Sequence, residues 1–391
     1  MIIYRMLRFI EKKTLIRLAC FGVWNLNNIK SGVVLIRLDL IGDFILWLDS
    51  AKEYRRIYPQ TKITLIANST WAEMAQGLPY WDEVWTVKTL ALTSNPFYRL
   101  AFLRKVRLAN FETAIQPTFS RAFMYGDIVI GASQALQRIG SVGDMANINV
   151  KDKTISDRWY TQLFPASPKP MMELLRNAEF ISYLDRKTFK PNLPLLPLMA
   201  ILPKHLQVKG SYIILFPGAS WFGRCWPAQS FVEVGKEIQR LLGLQIVLCG
   251  ALSERTLCQA IADSDSIASI NLAGQTTLGE LVELIRGAHL LIANETSAVH
   301  IAAALGTPTV CILGGGHYGR FVPYPDQVAG IKPVVAVKHM PCFNCNWQCN
   351  QPYDPTGPVP CISGVSTAQV LSTALQAVKD SADETSKLVK L

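Results

Sequence analysis

Apolar positions along this chain fall into two successive trains in which short continuous runs alternate with helically spaced segments. Positions 33–38 form a run interrupted only by Arg37, positions 45–58 repeat apolar residues at helical spacing, and positions 63–67 are apolar again. Shorter runs follow at 84–87 and 114–116. A continuous run reads as a buried strand and the spaced segment as an amphipathic helix. Their alternation predicts a parallel, doubly wound sheet. A helix is expected over 171–184, after which Pro191, Pro194, Pro197 and Pro203 mark an interdomain linker. The second train then predicts a strand at 212–216, a helix at 228–242 and a strand at 244–249. Helices near 252–262 and 278–286 come next, then a strand at 290–293, a helix at 297–305 and a further strand. Gly306-Thr307-Pro308 breaks the last helix.

This pattern divides the chain into a basic arm (1–30), a first Rossmann-like domain (31–190), a proline-rich linker (191–210) and a second Rossmann-like domain (211–378). The second domain holds a cysteine-rich loop (340–362), and a charge-mixed tail (379–391) is expected to fray. With 391 residues, half of them hydrophobic and 17% charged, two cores are affordable and wholesale disorder is excluded. No run reaches the roughly 18 apolar residues of a spanning helix.

Of the net charge of +10, about half sits in the arm, where Arg5, Arg8, Lys12, Lys13, Arg17 and Lys30 face Glu11 alone. Interleaved Ile2, Ile3, Met6, Leu7, Ile10, Leu15, Ile16 and Leu18 fit a basic amphipathic helix at a membrane surface. A first helix packed on the domain with its charges in water fits equally. Glu11-Lys12-Lys13 interrupts any signal-peptide core. Nine cysteines without an export signal point to a reducing cytosol. The arm lacks an accompanying recognition motif, so nucleic acid is not an expected partner.

Three segments carry candidate chemistry. In 292–313 an apolar strand ends at an acid and two hydroxyls before a small-residue helix, where an open parallel sheet binds ligands and free N–H groups favour a diphosphate. Glu295 at that mouth suits sugar hydroxyls better than phosphate. In Arg37-Leu38-Asp39-Leu40-Ile41-Gly42-Asp43 the first strand turns into the first helix. There Asp43 is either a general base for an incoming hydroxyl or a helix N-cap, with Gly42 allowing a tight turn. In 216–227, Gly218 and Ser220 lie on a small-residue loop that can approach phosphate, and Arg224 offers a bidentate fork. A solvated surface arginine is the alternative there, and Gly-Lys-Ser/Thr of a Walker loop is absent.

Arg37…Gly42-Asp43, Pro217-Gly218-Ala219-Ser220…Arg224-Cys225-Trp226-Pro227, Leu272-Ala273-Gly274-Gln275-Thr276-Thr277-Leu278 and Glu295-Thr296-Ser297…His300-Ile301-Ala302-Ala303 follow one another in this order. That order resembles glycosyltransferase family 9, the family of ADP-heptose:lipopolysaccharide heptosyltransferases, over about residues 31–378. The resemblance implies an α/β GT-B fold, two Rossmann-like domains facing each other across a cleft, and inverting, metal-independent transfer with no cofactor required. It also implies that Asp43 is the base and that Arg224 stands where the family often carries a phosphate-binding lysine. Glu254 resembles the acid near the nucleotide ribose. Glu295, Thr296, Ser297, Ala298 and His300 stand in for the family's Asp-Thr-Gly-x-x-His pattern, with glutamate for aspartate and serine for glycine.

The expected donor is a nucleotide-diphosphate sugar, ADP-heptose first, and the expected acceptor lipid A-core or another anionic glycolipid. The enzyme would work in the cytoplasm, peripherally on the inner membrane face. A GT-B nucleotide-sugar epimerase and a catalytically silent sugar-nucleotide-binding scaffold are the rivals.

Other features are ambiguous from sequence. His300 either reaches phosphate or packs. Cys342, Cys345, Cys349 and Cys361 either clasp a structural zinc or stay reduced thiols. Arg99, Arg104, Lys105 and Arg107 either greet an anionic acceptor or line a solvated helix. Asp263-Ser264-Asp265 reads as a solvated loop, and the glycines of 314–321 either border the donor or serve only a turn.

Overall fold

The computed structural model describes residues 30–264 and 267–388, with side chains through 381. The arm at 1–29 and Asp265 lie outside the described residues. The chain divides into two compact units, Met1–Lys169 with Leu175–Lys190, and Pro170–Leu174 with Pro191–Leu391.

In the first unit, β1 (Val33–Arg37), β2 (Ile63–Asn68), β3 (Glu83–Val87), β4 (Thr113–Gln116), β5 (Gln137–Ser141) and β6 (Gln162–Phe164) form a six-stranded sheet in the order β3-β2-β1-β4-β5-β6. Every pairing is parallel, with Val33 opposite Ile63 on one side and Thr113 on the other. β1 and β2 are buried along their whole length, which is why they read as largely apolar runs rather than alternating ones; β4 is as fully buried but carries Thr113 and Gln116. The helix after β1 spans Ile41–Ile57 and buries Phe44, Ile45, Leu48 and Ala51.

The second unit repeats this layout. β7 (Tyr212–Phe216), β8 (Gln245–Leu248), β9 (Ser269–Asn271), β10 (Leu290–Asn294), β11 (Thr309–Leu313) and β12 (Val334–Val337) run in the order β12-β11-β10-β7-β8-β9. All pairings are again parallel. Counted within each unit, both sheets have the strand order 3-2-1-4-5-6 of the dinucleotide-binding fold. Each therefore reverses direction between its first and fourth strands, β1/β4 and β7/β10, and opens a crevice at the carboxyl ends there.

The helix Ser297–Leu305 buries Ala298, Ala302, Ala303 and Ala304, small side chains that let it lie close on the sheet. Gly306 ends it at φ 70°, a left-handed position glycine takes without strain. The proline-rich segment is strapped down: Arg286 donates to the Leu196 and Pro197 carbonyls at 3.1 and 2.6 Å, and Met199 N donates to Glu283 at 2.8 Å. Against the expectation of a frayed tail from 379, the helix Thr367–Leu388 continues through most of it, because Val370, Ala374 and Ala377 anchor it on the core.

Candidate active site

The crevice of the second unit is built by three loop segments. Asn294, the last residue of β10, is fully buried and donates to the Pro217 carbonyl at 2.7 Å, while its Oδ1 accepts from Trp226 N at 3.1 Å. One amide thus ties the 216–227 loop at both ends to the neighbouring strand. That clamp sets Arg224, whose Nη2 donates to the Glu295 carbonyl at 2.8 Å and to its Oε2 at 3.3 Å. Nη1 donates to Ser220 Oγ at 3.1 Å. Arg224, Ser220 and Glu295 are therefore brought together, and the solvated-arginine alternative does not hold.

Glu295 is 5% exposed, and burial pushes its carboxyl up to about 7 against the opposing pull of Arg224 and, more weakly, Arg320. Its Oε1 has no hydrogen-bond partner among the described residues, and neither has the buried Thr296 Oγ1. Thr296 is the N-cap of Ser297–Leu305 yet makes no side-chain capping bond. A cation, a hydroxyl and a helix N-terminus without a side-chain cap thus meet beside a buried carboxyl. This set can hold a diphosphate next to a hydroxylated group.

Glu254 lies against the same loop: a Cβ on Gly218 would meet its carboxyl carbon at 2.0 Å, so any larger residue there would displace the Glu254 side chain. Burial raises the Glu254 carboxyl, opposed by the Ala251 N–H at 2.7 Å. His300 lies deeper, 4% exposed, with Nδ1 2.9 Å from the Tyr324 hydroxyl. Burial lowers it to about 4, so a neutral imidazole brings no positive charge to a diphosphate near pH 7. Its geometry is that of a packed histidine.

In the first unit the β1/β4 crevice holds Asp43, the third residue of its helix and half-buried. Leu40 is the N-cap, which overturns the capping alternative for Asp43, and Gly42 lies within the helix rather than in a turn. The preceding loop is clamped by buried Arg37, which pairs with Asp39 at 2.7 Å and reaches the Asp43 carbonyl at 3.4 Å. Thr118, beyond β4, donates to the same Asp39 carboxylate at 3.1 Å. Arg99 is corrected: it is 3% exposed and caps the Leu92 and Thr93 carbonyls at 2.9 and 3.0 Å, so it faces no ligand. Lys105 stacks over Trp85 at 4.0 Å. Asp263 accepts from Gln259 at 2.7 Å on an exposed helix end, as a solvated loop residue would.

Cys342, Cys345, Cys349 and Cys361 line one small cavity with Phe343 and Trp347. Among the described residues no three His, Cys, Asp or Glu side chains stand as a ready metal-ligand group. The described cysteines are free thiols, and Cys361 Sγ accepts from Gly315 N at 3.4 Å. The loop has another effect: Trp347 lies 4.5 Å from the Arg224 guanidinium and packs on the 314–316 glycines. A Cβ on Gly316 would meet that ring at 2.3 Å, and one on Gly315 would meet Phe343 at 2.1 Å. Those glycines permit close approach rather than a flexible border. Sequence reading passed over Trp347 and Asn294; an asparagine ending an otherwise apolar strand was the available signal. Trp347→Ala is expected to weaken ADP binding about 5–30-fold through loss of the cation–π support, with Trp347→Phe near wild type, both read by calorimetry.

The sequence pattern of glycosyltransferase family 9 (heptosyltransferase) matches residues 169–350. Lipopolysaccharide core heptosyltransferase OpsX of Haemophilus influenzae is 21% identical over 74% of this chain and 81% of its own length. Residues 169–350, a little under half of the chain, thus carry the pattern of that family. Lipopolysaccharide heptosyltransferase 3 of Escherichia coli K12 is 30% identical over 32% of this chain, and the match spans only about a third (36%) of that relative. Escherichia coli heptosyltransferase WaaC, solved with ADP-2-deoxy-2-fluoro heptose, superposes with a TM-score of 0.61 at 15% identity, over 90% of this chain and 99% of WaaC. The two Rossmann-like sheets are therefore those of the GT-B fold that these structures share. The family 9 match covers the Arg224–Glu295 site but not Asp43.

Proposed function

We propose that this chain is an inverting glycosyltransferase that moves a sugar, heptose from ADP-heptose, onto lipopolysaccharide core or a related anionic glycolipid at the cytoplasmic face of the inner membrane. The observation that carries the reading is the Arg224 guanidinium held between Ser220 and Glu295 at the mouth of an uncapped helix. The names of the family relatives and the heptose analogue bound by WaaC support the donor and acceptor classes.

In this reading the acceptor hydroxyl oxygen forms a bond to the anomeric carbon as the bond from that carbon to the diphosphate oxygen breaks. Asp43 takes the hydroxyl proton, and ADP leaves onto Arg224 and the amides of Thr296–Ala298. Attack opposite the leaving group inverts the carbon. Glu295, with a carboxyl oxygen lacking a partner, accepts a sugar hydroxyl. The charge on the departing diphosphate is met by these side chains and amides, so the reading requires no metal or other cofactor.

A panel of nucleotide-diphosphate sugars with a core glycolipid acceptor, read by mass spectrometry, tests it. ADP-heptose is expected to give the acceptor plus one heptose, unchanged by a chelator. Donor converted without acceptor would support an epimerase instead, and donor bound but never turned over would leave a scaffold.

A further inference from the structure

We propose that the helical hairpin of the first unit, Thr89–Ser94 followed by Pro96–Leu108, is a docking surface for an anionic lipid bilayer. The inference rests on the glycolipid-acceptor reading above, since an acceptor anchored in a membrane has to be met at its surface. The longer helix already satisfies the core with one face, burying Phe102, Leu103 and Val106. It nevertheless carries a second apolar row on the outside. Phe97, Leu100 and Leu108 are exposed, with Arg104 between them at helical spacing, and Leu90 is exposed on the shorter helix. Phe97 is 82% and Leu90 78% exposed, far more than a soluble surface needs of large apolar side chains.

Charge selects the occupant. From 84 to 111 the sequence contains no aspartate or glutamate, while Lys88, Arg104 and Lys105 are exposed around the apolar row. Asn95 caps the longer helix through the Phe97 and Tyr98 amides, which fixes the tip of the hairpin with Phe97 on it. Exposed aromatic and leucine side chains ringed by bases are the composition of an interfacial surface that sinks into the headgroup boundary of acidic lipids.

The test is sedimentation of the full chain with vesicles of about 30% phosphatidylglycerol in phosphatidylcholine, against phosphatidylcholine alone. The wild type is expected to partition at least about tenfold better onto the acidic vesicles, and 0.5 M salt to erase the difference. Leu90→Gln with Phe97→Gln, both exposed and outside the donor and acceptor chemistry, is expected to lower partitioning about tenfold or more. Transfer to a delipidated, soluble acceptor should be unchanged in that variant. No vesicle binding by wild type overturns the proposal, and so does binding that the double variant leaves intact, which would assign attachment to the arm. Vesicle binding without transfer to the soluble acceptor would overturn the transferase reading while leaving the surface standing.

Discussion

Asp43→Ala is expected to lower kcat for sugar transfer by about 10²–10⁴-fold, the range a positioned general base supplies. The Kd for ADP should stay within about twofold, because in the proposed reading the donor groups belong to the other compact unit. Position on the helix makes the experiment clean. Asp43 is half-exposed in the first turn, and Leu40 rather than Asp43 is the N-cap. Nearby Asp39 is a poor alternative base: its carboxylate is pinned by Arg37 at 2.7 Å and by the Thr118 hydroxyl at 3.1 Å. Single-turnover transfer and calorimetry on the same preparations check the prediction. A kcat within threefold of wild type would remove Asp43 as the base.

Arg224→Ala should act on donor affinity and on stability at once. Loss of a charge-assisted contact to a diphosphate weakens ADP binding by about 10–100-fold. The variant also strands Glu295, and leaving one member of a buried pair uncompensated costs about 3 kcal/mol. The pH dependence separates the two effects. Glu295 titrates at about 7 in the folded chain against 4.5 ordinarily, so between those values the folded state holds a proton that the unfolded state has released. Stability from this group is full below 4.5 and is lost as pH rises to about 7. Without Arg224 that window extends upward. Adding Glu295→Gln should flatten the slope and restore the melting temperature without restoring ADP affinity. A double variant that regains ADP binding would mean that Arg224 serves only Glu295.

How much of this was legible in the sequence depended on distance along the chain. The strands of both central crossings were visible because burial on both faces makes them continuous apolar runs, as in β7 and β10. The edge strands of the second sheet were not: β12 is only half-buried and β9 has no buried residue, so neither leaves a clear pattern. The loop chemistry of Gly218, Ser220, Arg224 and Glu295 was readable from residue type. Its partners were not. Trp347 meets Arg224 across more than a hundred residues of sequence, and Asn294 reaches Pro217 across 77. Arg99 misled for the converse reason, since a basic side chain in a helix looks solvated until its carbonyl partners are placed.

Both units number their strands alike, so Asp43 and Arg224 occupy the same address in each: the segment leaving the first strand. One layout has been given an acid in its first copy and a base in its second. Division of labour by copy has a practical meaning for variation. In the proposed reading, substitutions around Asp43 can retune the acceptor while Arg224 and Ser220 keep the donor, and the reverse holds as well. A chain organised this way can change what it decorates without relearning what it carries.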